Sequence, residues 1–390
     1  MKLATFFFIA GEPSGDLHGA KFIEALSKRL NGAQFRGIGG PKMRASGLKI
    51  DPIPTESLSV MGITAVLKKL PSLFRSFYQV KQAILKQDPD CVVLIDYPGF
   101  NLRLLRSLRK AGYKKKIVYA IAPSVWAHGK KRADLLRRFC DLLLVIYPFE
   151  LDYFKGMPCR YIGNPLTEDL ENETASPRKG IALFPGSRRS EIELNLSLMI
   201  QSLEKLFVKR PGAFECEPIS VSVANEYVKP LIEQQLKKSI LPFELIKAEN
   251  AKKLMQTHAL YLATSGTVTL ELALAKAKAV VIYKIPKLLY LIGKYIARIK
   301  LPFFCIVNIL MRREVYKEFF SKEIDSDAVV SALLKLHDST KVNVQLDQDF
   351  EEIAALMGKS DPSASAAESI LDLLEDAQDS HRDCKVLDRN

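Results

Sequence analysis

The sequence predicts an α/β fold made of two Rossmann-like domains of similar size that face each other across a cleft. Short apolar runs alternate with longer segments of helical periodicity, which is typical of an open, mostly parallel sheet. A length of 390 residues and a hydrophobic content of 48% are sufficient for two cores. A polar stretch at residues 168–179 separates the two series and is interpreted as the linker.

The order of these elements sets the domain limits that we expect. An N-terminal domain should cover residues 1–168, a C-terminal domain 178–360, and a last helix with a polar tail 361–390, which either packs back on the protein or is exchanged. The strands predicted for the first domain are Thr5–Ala10, Gln34–Ile38, Cys91–Ile95, Lys116–Ile121, Leu142–Ile146 and Arg160–Gly163. Those for the second are Ile181–Phe184, Ile219–Val223, Phe243–Ile246, Leu260–Ala263 and Ala279–Tyr283, before helical patterns at Ala328–Leu336 and Ala364–Leu374.

The charge of the chain narrows the class of partner. A formal net charge of +13 favours an anionic one, namely a phosphorylated substrate, nucleic acid or an acidic membrane surface. Nucleic acid is disfavoured, because Lys and Arg are spread among apolar residues and no recognised nucleic-acid module is present. No uncharged apolar stretch reaches the length of about 18 residues that a membrane-spanning helix needs.

Cysteine and histidine usage indicates neither a metal site nor disulfides. The six cysteines have no short pair spacing and the five histidines are scattered, so a reduced, cytoplasmic location is expected. The N-terminal apolar run stops at Gly11-Glu12 and becomes a loop, which fits a first buried strand better than a signal peptide.

The most informative stretch is a strand-to-helix turn, Thr264-Ser-Gly-Thr267, between an apolar run and a helical pattern. Such a turn leaves backbone N–H groups and hydroxyls free at a helix N-terminus, where an anion is favoured. Glu271 lies one turn further on the same helix face, where its carboxylate can accept hydrogen bonds from sugar hydroxyls. The pattern indicates a phosphate-plus-ribose site, with an ordinary capped helix as the alternative.

A similar turn, Pro185-Gly-Ser-Arg188, occurs earlier in the same half. Ser190 and Glu193 have the spacing of a capping box that starts a helix. Arg188 and Arg189 beside the turn could clamp a diphosphate with paired hydrogen bonds. Two such turns in one Rossmann-like domain predict a site for a nucleoside diphosphate.

These turns belong to a longer series of motifs that resembles the lipid A disaccharide synthase family, glycosyltransferases with two facing Rossmann-like domains (the glycosyltransferase B-type fold). The resemblance covers roughly residues 5–320. Its motifs are Ala10-Gly-Glu-Pro-Ser-Gly-Asp16, Gly37-Ile-Gly-Gly-Pro-Lys-Met43, Ser59-Val-Met-Gly62, Ile95-Asp-Tyr-Pro-Gly-Phe-Asn101, Ala122-Pro-Ser-Val-Trp-Ala127, Tyr147-Pro-Phe-Glu150, Gly163-Asn-Pro-Leu166, Pro185-Gly-Ser-Arg188 and Ser265-Gly-Thr-Val-Thr-Leu-Glu271.

The resemblance implies a reaction. UDP-2,3-diacylglucosamine would donate its sugar to 2,3-diacylglucosamine 1-phosphate with inversion, giving a β(1→6) disaccharide and UDP without a metal or other cofactor. One carboxylate should then deprotonate the attacking 6-hydroxyl while the diphosphate leaving group is stabilised. By the family motif Asp96 is this base. Its position directly after the strand Cys91–Ile95 fits a site at the carboxyl end of the sheet, although a loop cap is the alternative.

The resemblance also implies two sets of binding residues. Glu12 and Asp16 could instead belong to loop structure, and Trp126, the only tryptophan, could be a packing residue. The UDP-binding set on the donor side is Ser187, Arg188, Ser265, Gly266, Thr267, Glu271 and Asn308. The acceptor-side set is Glu12, Ser14, Gly15, Asp16, Gly39, Gly40 and Trp126.

The chain departs from the family pattern at several positions. Gly99 stands where the family often has a second Asp, Asn164 replaces a His, and His128 replaces a Trp. The Leu-Pro-Asn pattern reads Ile306-Val307-Asn308, which keeps the Asn and loses the Pro. Since Asp96 and Glu271 are present, we still expect activity.

Both implied substrates carry acyl chains, so contact with an anionic membrane surface is expected, at the inner face of the cytoplasmic membrane. Two basic amphipathic stretches, Val66–Leu85 and Leu288–Phe304, could lie in such an interface, with core helices as the alternative. Pro71 should start or kink the first helix. Family members can form dimers that exchange C-terminal elements, which leaves a homodimer open.

Two other functions stay open at this point. One is another UDP-sugar enzyme on the same fold, an epimerase or a transferase, which would turn over soluble UDP-N-acetylglucosamine. The other is a non-catalytic nucleotide-sugar binder, suggested by Gly99 and Asn164, which would bind UDP without forming product from the acylated substrates.

Overall fold

The computed structural model describes residues 4–50, 63–123, 125, 129–167, 178–211, 218–286, 302–358 and 361–387, with the backbone alone at residues 13, 63–73, 130 and 377–387. The chain divides into two compact units. The N-terminal unit comprises Met1–Glu168 with Lys359–Asn390, and the C-terminal unit comprises Asp169–Gly358. Each unit is built on one parallel sheet with helices packed on it, which confirms the predicted α/β fold with two Rossmann-like domains.

Seven strands form the N-terminal sheet, and all their pairings are parallel. They are β1 (Thr5–Ala10), β2 (Gln34–Ile38), β3 (Lys49–Ile50), β4 (Cys91–Ile95), β5 (Lys116–Ala120), β6 (Leu142–Val145) and β7 (Cys159–Tyr161). Their order across the sheet is β3-β2-β1-β4-β5-β6-β7.

Six parallel strands form the C-terminal sheet. They are β8 (Ile181–Phe184), β9 (Ile219–Val223), β10 (Phe243–Lys247), β11 (Leu260–Thr264), β12 (Ala279–Lys284) and β13 (Lys317–Ser321), in the order β10-β9-β8-β11-β12-β13. Every strand predicted from the sequence is present. The sequence missed β3, which has two residues, and β13, whose half-buried residues lack a continuous apolar run.

Both sheets have the doubly wound Rossmann order, in which strand order reverses beside the first strand. The reversal falls between β1 and β4 in the N-terminal sheet and between β8 and β11 in the C-terminal sheet. At such a reversal the helices that follow the two neighbouring strands lie on opposite faces, and this leaves a crevice at the carboxyl edge where ligands bind. The loops after these four strands are therefore the places to look for function.

Proline has a defined position in two of the helices that follow the strands. The first helix starts at Pro13, because proline fits the first helical position, where its missing N–H is not needed. Pro71 lies inside the helix Ile63–Gln87, so of the two expected roles it does not start the helix. The helices are α1 (Pro13–Arg29), α2 (Pro41–Ala45), α3 (Ile63–Gln87), α4 (Pro98–Lys110), α5 (Lys130–Phe139), α6 (Glu150–Tyr153), α7 (Arg189–Lys209), α8 (Lys229–Leu236), α9 (Ala251–Thr257), α10 (Val268–Leu274), α11 (Ile306–Met311), α12 (Ser326–Asp338), α13 (Thr340–Met357) and α14 (Pro362–Leu387).

The N-terminal sheet is buried on both faces. Along β1, Phe7 and Ile9 pack into a core with α3, α4 and α5, whereas Phe6 and Phe8 pack into a second core with α1 and α14. This alternation follows from the two-residue period of a strand. Each buried Phe contributes roughly 1.5–3 kcal/mol relative to an exposed one, so β1 fixes the centre of the unit.

The C-terminal helix α14 belongs to the N-terminal unit. Ala366, Ala367 and Ile370 pack into the core beside α1, and Arg160 forms an ion pair of 2.6 Å with Asp372. Within the described residues, no helix combines the length and the apolar composition needed to cross a bilayer.

Candidate active site

The C-terminal unit has a cavity of about 540 Å³ at the reversal of its sheet. It lies where the loop after β8 meets the loop after β11, and α9 contributes Met255 to its wall. The predicted donor residues that line it are Ser187, Arg188, Ser265, Gly266, Thr267 and Glu271. The structure therefore brings together five residues that the sequence placed in two separate turns and Glu271 from the helix that follows the second turn.

The loop after β8 is shaped by Gly186, whose φ of +108° disfavours any residue with a side chain. A Cβ at Gly186 would also lie 2.8 Å from the carboxylate Oε2 of Glu191. Glu191 forms an ion pair of 2.8 Å with Arg188, whose side chain remains 69% exposed. The guanidinium is thus held at the mouth of the cavity with most of its surface free for an anion.

The predicted capping box at the start of α7 is wrong. The N-cap is Arg188 rather than Ser190, and no side chain caps the helix. Glu193 instead accepts a hydrogen bond of 2.8 Å from Arg189 Nε. A carboxylate one turn from a guanidinium forms an i,i+4 ion pair more readily than it reaches back to the helix start. Arg189 therefore points along the helix surface and does not line the cavity.

The loop after β11 is tied to a neighbouring segment. The Ser265 hydroxyl donates a hydrogen bond of 3.0 Å to the carbonyl oxygen of Phe304. The backbone N–H groups of Phe304 and Cys305 donate in turn to the carboxylate of Glu318, at 3.0 and 2.7 Å. These bonds fix the position of Ser265, whose hydroxyl oxygen can still accept from a ligand.

The structure does not place Asn308 with the other donor residues. Its side chain is fully buried. Its amide nitrogen donates a hydrogen bond of 2.8 Å to the carbonyl oxygen of Tyr316 and one of 3.3 Å to the carboxylate of Glu318. Its amide oxygen accepts from the N–H groups of Val315 and Tyr316, both at 2.9 Å. Because every polar atom of the side chain has a protein partner, Asn308 is a correction to the predicted UDP-binding set. It supports the turn before β13 instead.

Glu271 is half-buried in the wall of the cavity. Its carboxylate faces the cavity, and burial raises its pKa above the ordinary value, while the positive charge of Lys252 opposes the rise. A half-buried carboxylate with few charged neighbours gains by accepting hydrogen bonds from neutral hydroxyls. α10 itself ends at Leu274.

In the N-terminal unit, Asp96 occupies a strained position at the carboxyl end of β4. Asp96 and Tyr97 both have positive φ, +46° and +48°, which costs roughly 1–3 kcal/mol for each residue. Two side chains hold this backbone in place. Asn101 Nδ2 and the Tyr119 hydroxyl each donate a hydrogen bond to the carbonyl oxygen of Asp96, at 2.8 and 2.7 Å. We call these two donors the Asp96 clamp.

The Asp96 carboxyl group has the electrostatics of a general base. Its pKa is raised to about 6, first because burial disfavours the charged form and second because Glu12 adds a nearby negative charge. A backbone hydrogen bond from Tyr97 opposes the rise. A base works best when its pKa lies close to the operating pH, so this shift suits proton abstraction near neutrality. Strain and a perturbed pKa at one residue together favour function over a loop cap.

Asp16 has a structural role of the kind that the sequence left open beside acceptor binding. Its buried carboxylate accepts hydrogen bonds from the N–H groups of Gly40 at 2.7 Å, Met43 at 3.0 Å and Lys42 at 3.1 Å. It thereby caps α2 from a neighbouring helix. A Cβ at Gly40 would lie 2.5 Å from Asp16 Oδ2, so Gly40 permits this approach. These three hydrogen bonds engage both oxygens of the Asp16 carboxylate.

The remaining acceptor-side residues differ in their exposure. Glu12 is exposed at the N-cap of α1, and Ser14 is exposed in its first turn. Gly15 packs against Ala10, and Gly39 packs against Met43. Trp126 and residues 59–62 lie outside the described residues. Of this set, only Glu12 is linked to Asp96 by its charge.

The departures from the family pattern have simple local explanations. A Cβ at Gly99 would meet nothing within 4 Å, so this position could hold the missing Asp. Asn164 is buried and organises a one-turn helix, donating 3.2 Å to the carbonyl oxygen of Ile146 and accepting 3.0 Å from the N–H of Leu166. Val307 is fully buried in α11. None of the three disturbs the cavity or the Asp96 clamp.

Sequence reasoning missed the residues that support the site. The clamp residues Asn101 and Tyr119 come from α4 and from the neighbouring strand β5. Asn101 does end the quoted Ile95–Asn101 motif, and this was the one available signal. Cavity residues such as Glu191 and Ser222 have no motif of their own, and only the strand order places them at the site.

Solved structures with the same architecture define the class of protein. A Listeria monocytogenes protein assigned as a UDP-N-acetylglucosamine 2-epimerase superposes with a TM-score of 0.62 at 12% identity, over 97% of this chain and 98% of that chain. The glycosyltransferase of kitacinnamycin superposes with a TM-score of 0.59 at 12% identity, over 96% and 100%. At this identity the likeness concerns the fold, and it places the chain among two-domain α/β proteins of the glycosyltransferase B type.

Sequence comparison gives the particular family. Residues 6–370 match the Lipid-A-disaccharide synthetase family. The lipid-A-disaccharide synthase of Pseudomonas aeruginosa (strain UCBPP-PA14) is 33% identical over 94% of this chain and 97% of its own length. The lipid-A-disaccharide synthase of Rhodospirillum centenum is also 33% identical, over 96% of each chain. The chain belongs to the lipid-A-disaccharide synthase family of glycosyltransferases. It is therefore an enzyme that uses a UDP-sugar donor and a sugar acceptor.

Proposed function

We propose that the enzyme transfers the sugar of UDP-2,3-diacylglucosamine to the 6-hydroxyl of 2,3-diacylglucosamine 1-phosphate, forming a β(1→6) disaccharide and UDP. The transfer is a single displacement that inverts the anomeric centre. Asp96 takes the proton of the attacking hydroxyl as the new bond forms. The observation that carries this proposal is the raised pKa of a strained, clamped carboxyl group at the reversal of the N-terminal sheet.

The donor is held by the cavity of the C-terminal unit. Arg188 faces the diphosphate, whose negative charge grows as UDP departs, and a charge-assisted contact of this kind favours the transition state. The backbone of Ser265, Gly266 and Thr267 accommodates phosphate oxygens, since no side chain blocks the approach at Gly266. Glu271 accepts hydrogen bonds from the ribose hydroxyls.

Asp96→Asn tests the assignment of the base. The amide keeps the size and a hydrogen-bonding oxygen but cannot take the proton, so turnover of the two acylated substrates should fall by about 10² to 10⁴-fold. UDP affinity, measured by calorimetry, should stay at the wild-type value, because the donor residues belong to the other unit. Wild-type turnover would make Asp96 a structural cap. A parallel loss of UDP affinity would indicate misfolding.

The enzyme also binds the inner face of the cytoplasmic membrane in this proposal. Both substrates carry acyl chains, and α3 exposes Phe74 and Tyr78, one turn apart, at 67% and 62% of their surface. The second amphipathic stretch, residues 288–304, lies almost entirely outside the described residues. Binding to anionic vesicles should exceed binding to neutral ones and should weaken with salt. Equal binding to both would count against the electrostatic part.

Homodimer formation completes the proposal, supported by the family resemblance. α14 packs on the N-terminal unit of the same chain in this structure. Light scattering after gel filtration should give twice the mass of the chain, and a monomer mass at assay concentration would overturn this part alone.

A further inference from the structure

A second cavity, of about 380 Å³, lies on the N-terminal unit between α4 and α5. It takes no part in the proposed reaction, because none of its lining residues belongs to the donor or acceptor sets. Five of its eight lining side chains are cationic and one is anionic. The six charged residues are Arg106, Arg109, Lys110, Lys131, Asp134 and Arg138. We call this cavity the basic groove.

Two of these charges are already neutralised. Arg109 forms an ion pair with Asp141 and donates hydrogen bonds of 2.8 Å to the carbonyl oxygens of Tyr113 and Lys115. Asp134 pairs with Arg137 at 2.9 Å. Arg109 therefore needs no further anion, and Asp134 is not free to neutralise the other cations of the groove.

The other four cations, Arg106, Lys110, Lys131 and Arg138, are exposed and have no anionic partner among the described residues. Arg138 only packs its guanidinium 5.2 Å from the centroid of the Phe139 ring. Four like charges around one groove repel one another, and an anion bound between them would relieve this repulsion. The groove thus carries positive charge that no described anionic side chain neutralises.

The helix dipole adds to the same imbalance. Lys131 lies in the first turn of α5, and this first turn contains no acidic residue. A cation at this end of a helix is unfavourable, whereas an anion there is favoured by the partial positive charge of the free N–H groups. An anion beside Lys131 would therefore satisfy both the side chains and the helix end.

The position of the groove indicates which anion it meets. α3, α4 and α5 cover the same face of the N-terminal sheet, and α3 packs on α4 through Phe77 and Phe100, whose ring centroids are 5.5 Å apart. The exposed Phe74 and Tyr78 of α3 thus belong to the same layer of helices as the groove. A membrane that receives these aromatic side chains would bring its phosphate layer close to that layer.

We propose that the basic groove binds the phosphate group of an anionic phospholipid. This inference rests on the proposed membrane contact of α3 and adds a defined headgroup site to it. Arg106 and Arg138 supply paired donors for phosphate oxygens, and Lys110 and Lys131 supply point charges. The volume admits a phosphodiester with a few waters, since a water occupies about 30 Å³ of the liquid.

The test is co-sedimentation with vesicles of phosphatidylcholine, with and without phosphatidylglycerol. The groove variant is Arg106→Ala with Arg138→Ala. The matched control is Lys28→Ala with Arg44→Ala, two exposed cations on α1 and α2 that lower the formal charge of +13 by the same two units. α1 packs on the opposite face of the same sheet, and α2 packs on α1.

The groove variant should bind phosphatidylglycerol vesicles at least about tenfold more weakly than wild type, at about 1 kcal/mol for each cation near an anionic surface. The control should lose less than about twofold, because α1, on which α2 packs, lies on the face of the sheet opposite to α3, and salt screens charges that are far from the lipid. Both variants should melt like wild type and should bind neutral vesicles equally. Equal losses in the two variants would mean that net charge alone acts, and this would overturn the groove.

Two further measurements test the headgroup site separately from the membrane contact of α3 on which it rests. Phe74→Ser with Tyr78→Ser should weaken binding to both kinds of vesicle. If it leaves binding unchanged, the membrane contact of α3 is wrong, whatever the groove variant does. Calorimetry with inorganic phosphate at constant ionic strength should show no binding below about 1 mM, a range in which a free phosphate site would be occupied. Phosphate binding that the groove variant loses, with vesicle binding intact, would identify a soluble phosphate ligand and overturn the headgroup assignment.

Discussion

The side-chain amide of Asn101 donates a hydrogen bond of 2.8 Å to the carbonyl oxygen of Asp96, and a second one of 3.1 Å to that of Ile95. Asn101 is fully buried, and its N–H group bonds back to the carbonyl oxygen of Tyr97 at 3.0 Å. These bonds close the turn around two residues with positive φ. These bonds hold the backbone that carries the Asp96 carboxyl group, which makes Asn101 a positioning residue.

Removing the second donor of the Asp96 clamp should affect turnover more than stability. Tyr119→Phe deletes the hydroxyl that lies 2.7 Å from the Asp96 carbonyl oxygen and should lower stability by about 1 kcal/mol. Turnover should fall roughly tenfold, because a misoriented base approaches the hydroxyl poorly. Steady-state assays with the acylated substrates and urea unfolding measure the two effects.

The same unit supplies a matched control for this variant. Tyr113 is also buried and donates 2.6 Å to the carbonyl oxygen of Pro89, a backbone group outside the site. Tyr113→Phe should lower stability by about the same 1 kcal/mol and leave turnover unchanged. Equal turnover in the two variants would show that the clamp has no influence on the base.

The pH dependence of the reaction should report Asp96. Because the base acts in its ionised form and its pKa is raised to about 6, kcat/KM should fall as the pH falls through that value. Glu12→Gln removes a negative charge, which lowers the pKa of Asp96 and moves the acid limb to lower pH. Glu24→Gln, an exposed change further along α1, should leave the limb in place. If the acid limb of the pH profile is the same in Glu12→Gln as in wild type, Glu12 does not influence Asp96 and is not part of the site.

Glu271→Ala should weaken UDP binding. The loss of a charged acceptor for the ribose hydroxyls should cost roughly 1.5–3 kcal/mol, or about 10- to 100-fold in affinity. Glu244→Ala, an exposed change on β10 outside the cavity, is the control. Calorimetry with UDP measures both. An unchanged UDP affinity in the Glu271 variant would contradict the proposal that Glu271 binds the ribose hydroxyls.

Glu150 should make the stability of the enzyme depend on pH. Burial raises its pKa to about 8 from an ordinary 4.5, against opposing hydrogen bonds from the N–H groups of Tyr147 and Ile146. The stability that the protonated carboxyl contributes is therefore fully present below about pH 4.5 and is lost as the pH rises towards 8. Glu150→Gln cannot ionise, so its free energy of unfolding should decline less between pH 5 and pH 8. Parallel curves for the two proteins would contradict the burial of an ionisable group.

Much of the site was predictable because its signals are local. Gly, Ser and Thr at the strand ends predict the two turns at residues 185–188 and 264–267. The strand order then brings these turns into one cavity. Asn308 and Asp16 were assigned to binding because a motif gives the residue type and not its hydrogen-bond partners. The partners of Asp16 lie 24 to 27 residues away, on another helix.

The sequence by itself determined the alternation of strands and helices, the two parallel sheets and the turns at their carboxyl ends. Apolar periodicity and the backbone preferences of Gly and Pro act over a few residues, and a chain displays them before it folds. Only the tertiary structure decided which polar groups stay free. It gave the side chains of Asp16 and Asn308 backbone partners and placed the Asp96 carbonyl oxygen within reach of Asn101 and Tyr119. It also left four cations of the basic groove without an anionic partner among the described residues. Those outcomes depend on register and burial across elements distant in the chain, where each buried polar atom takes the partner that packing brings to it.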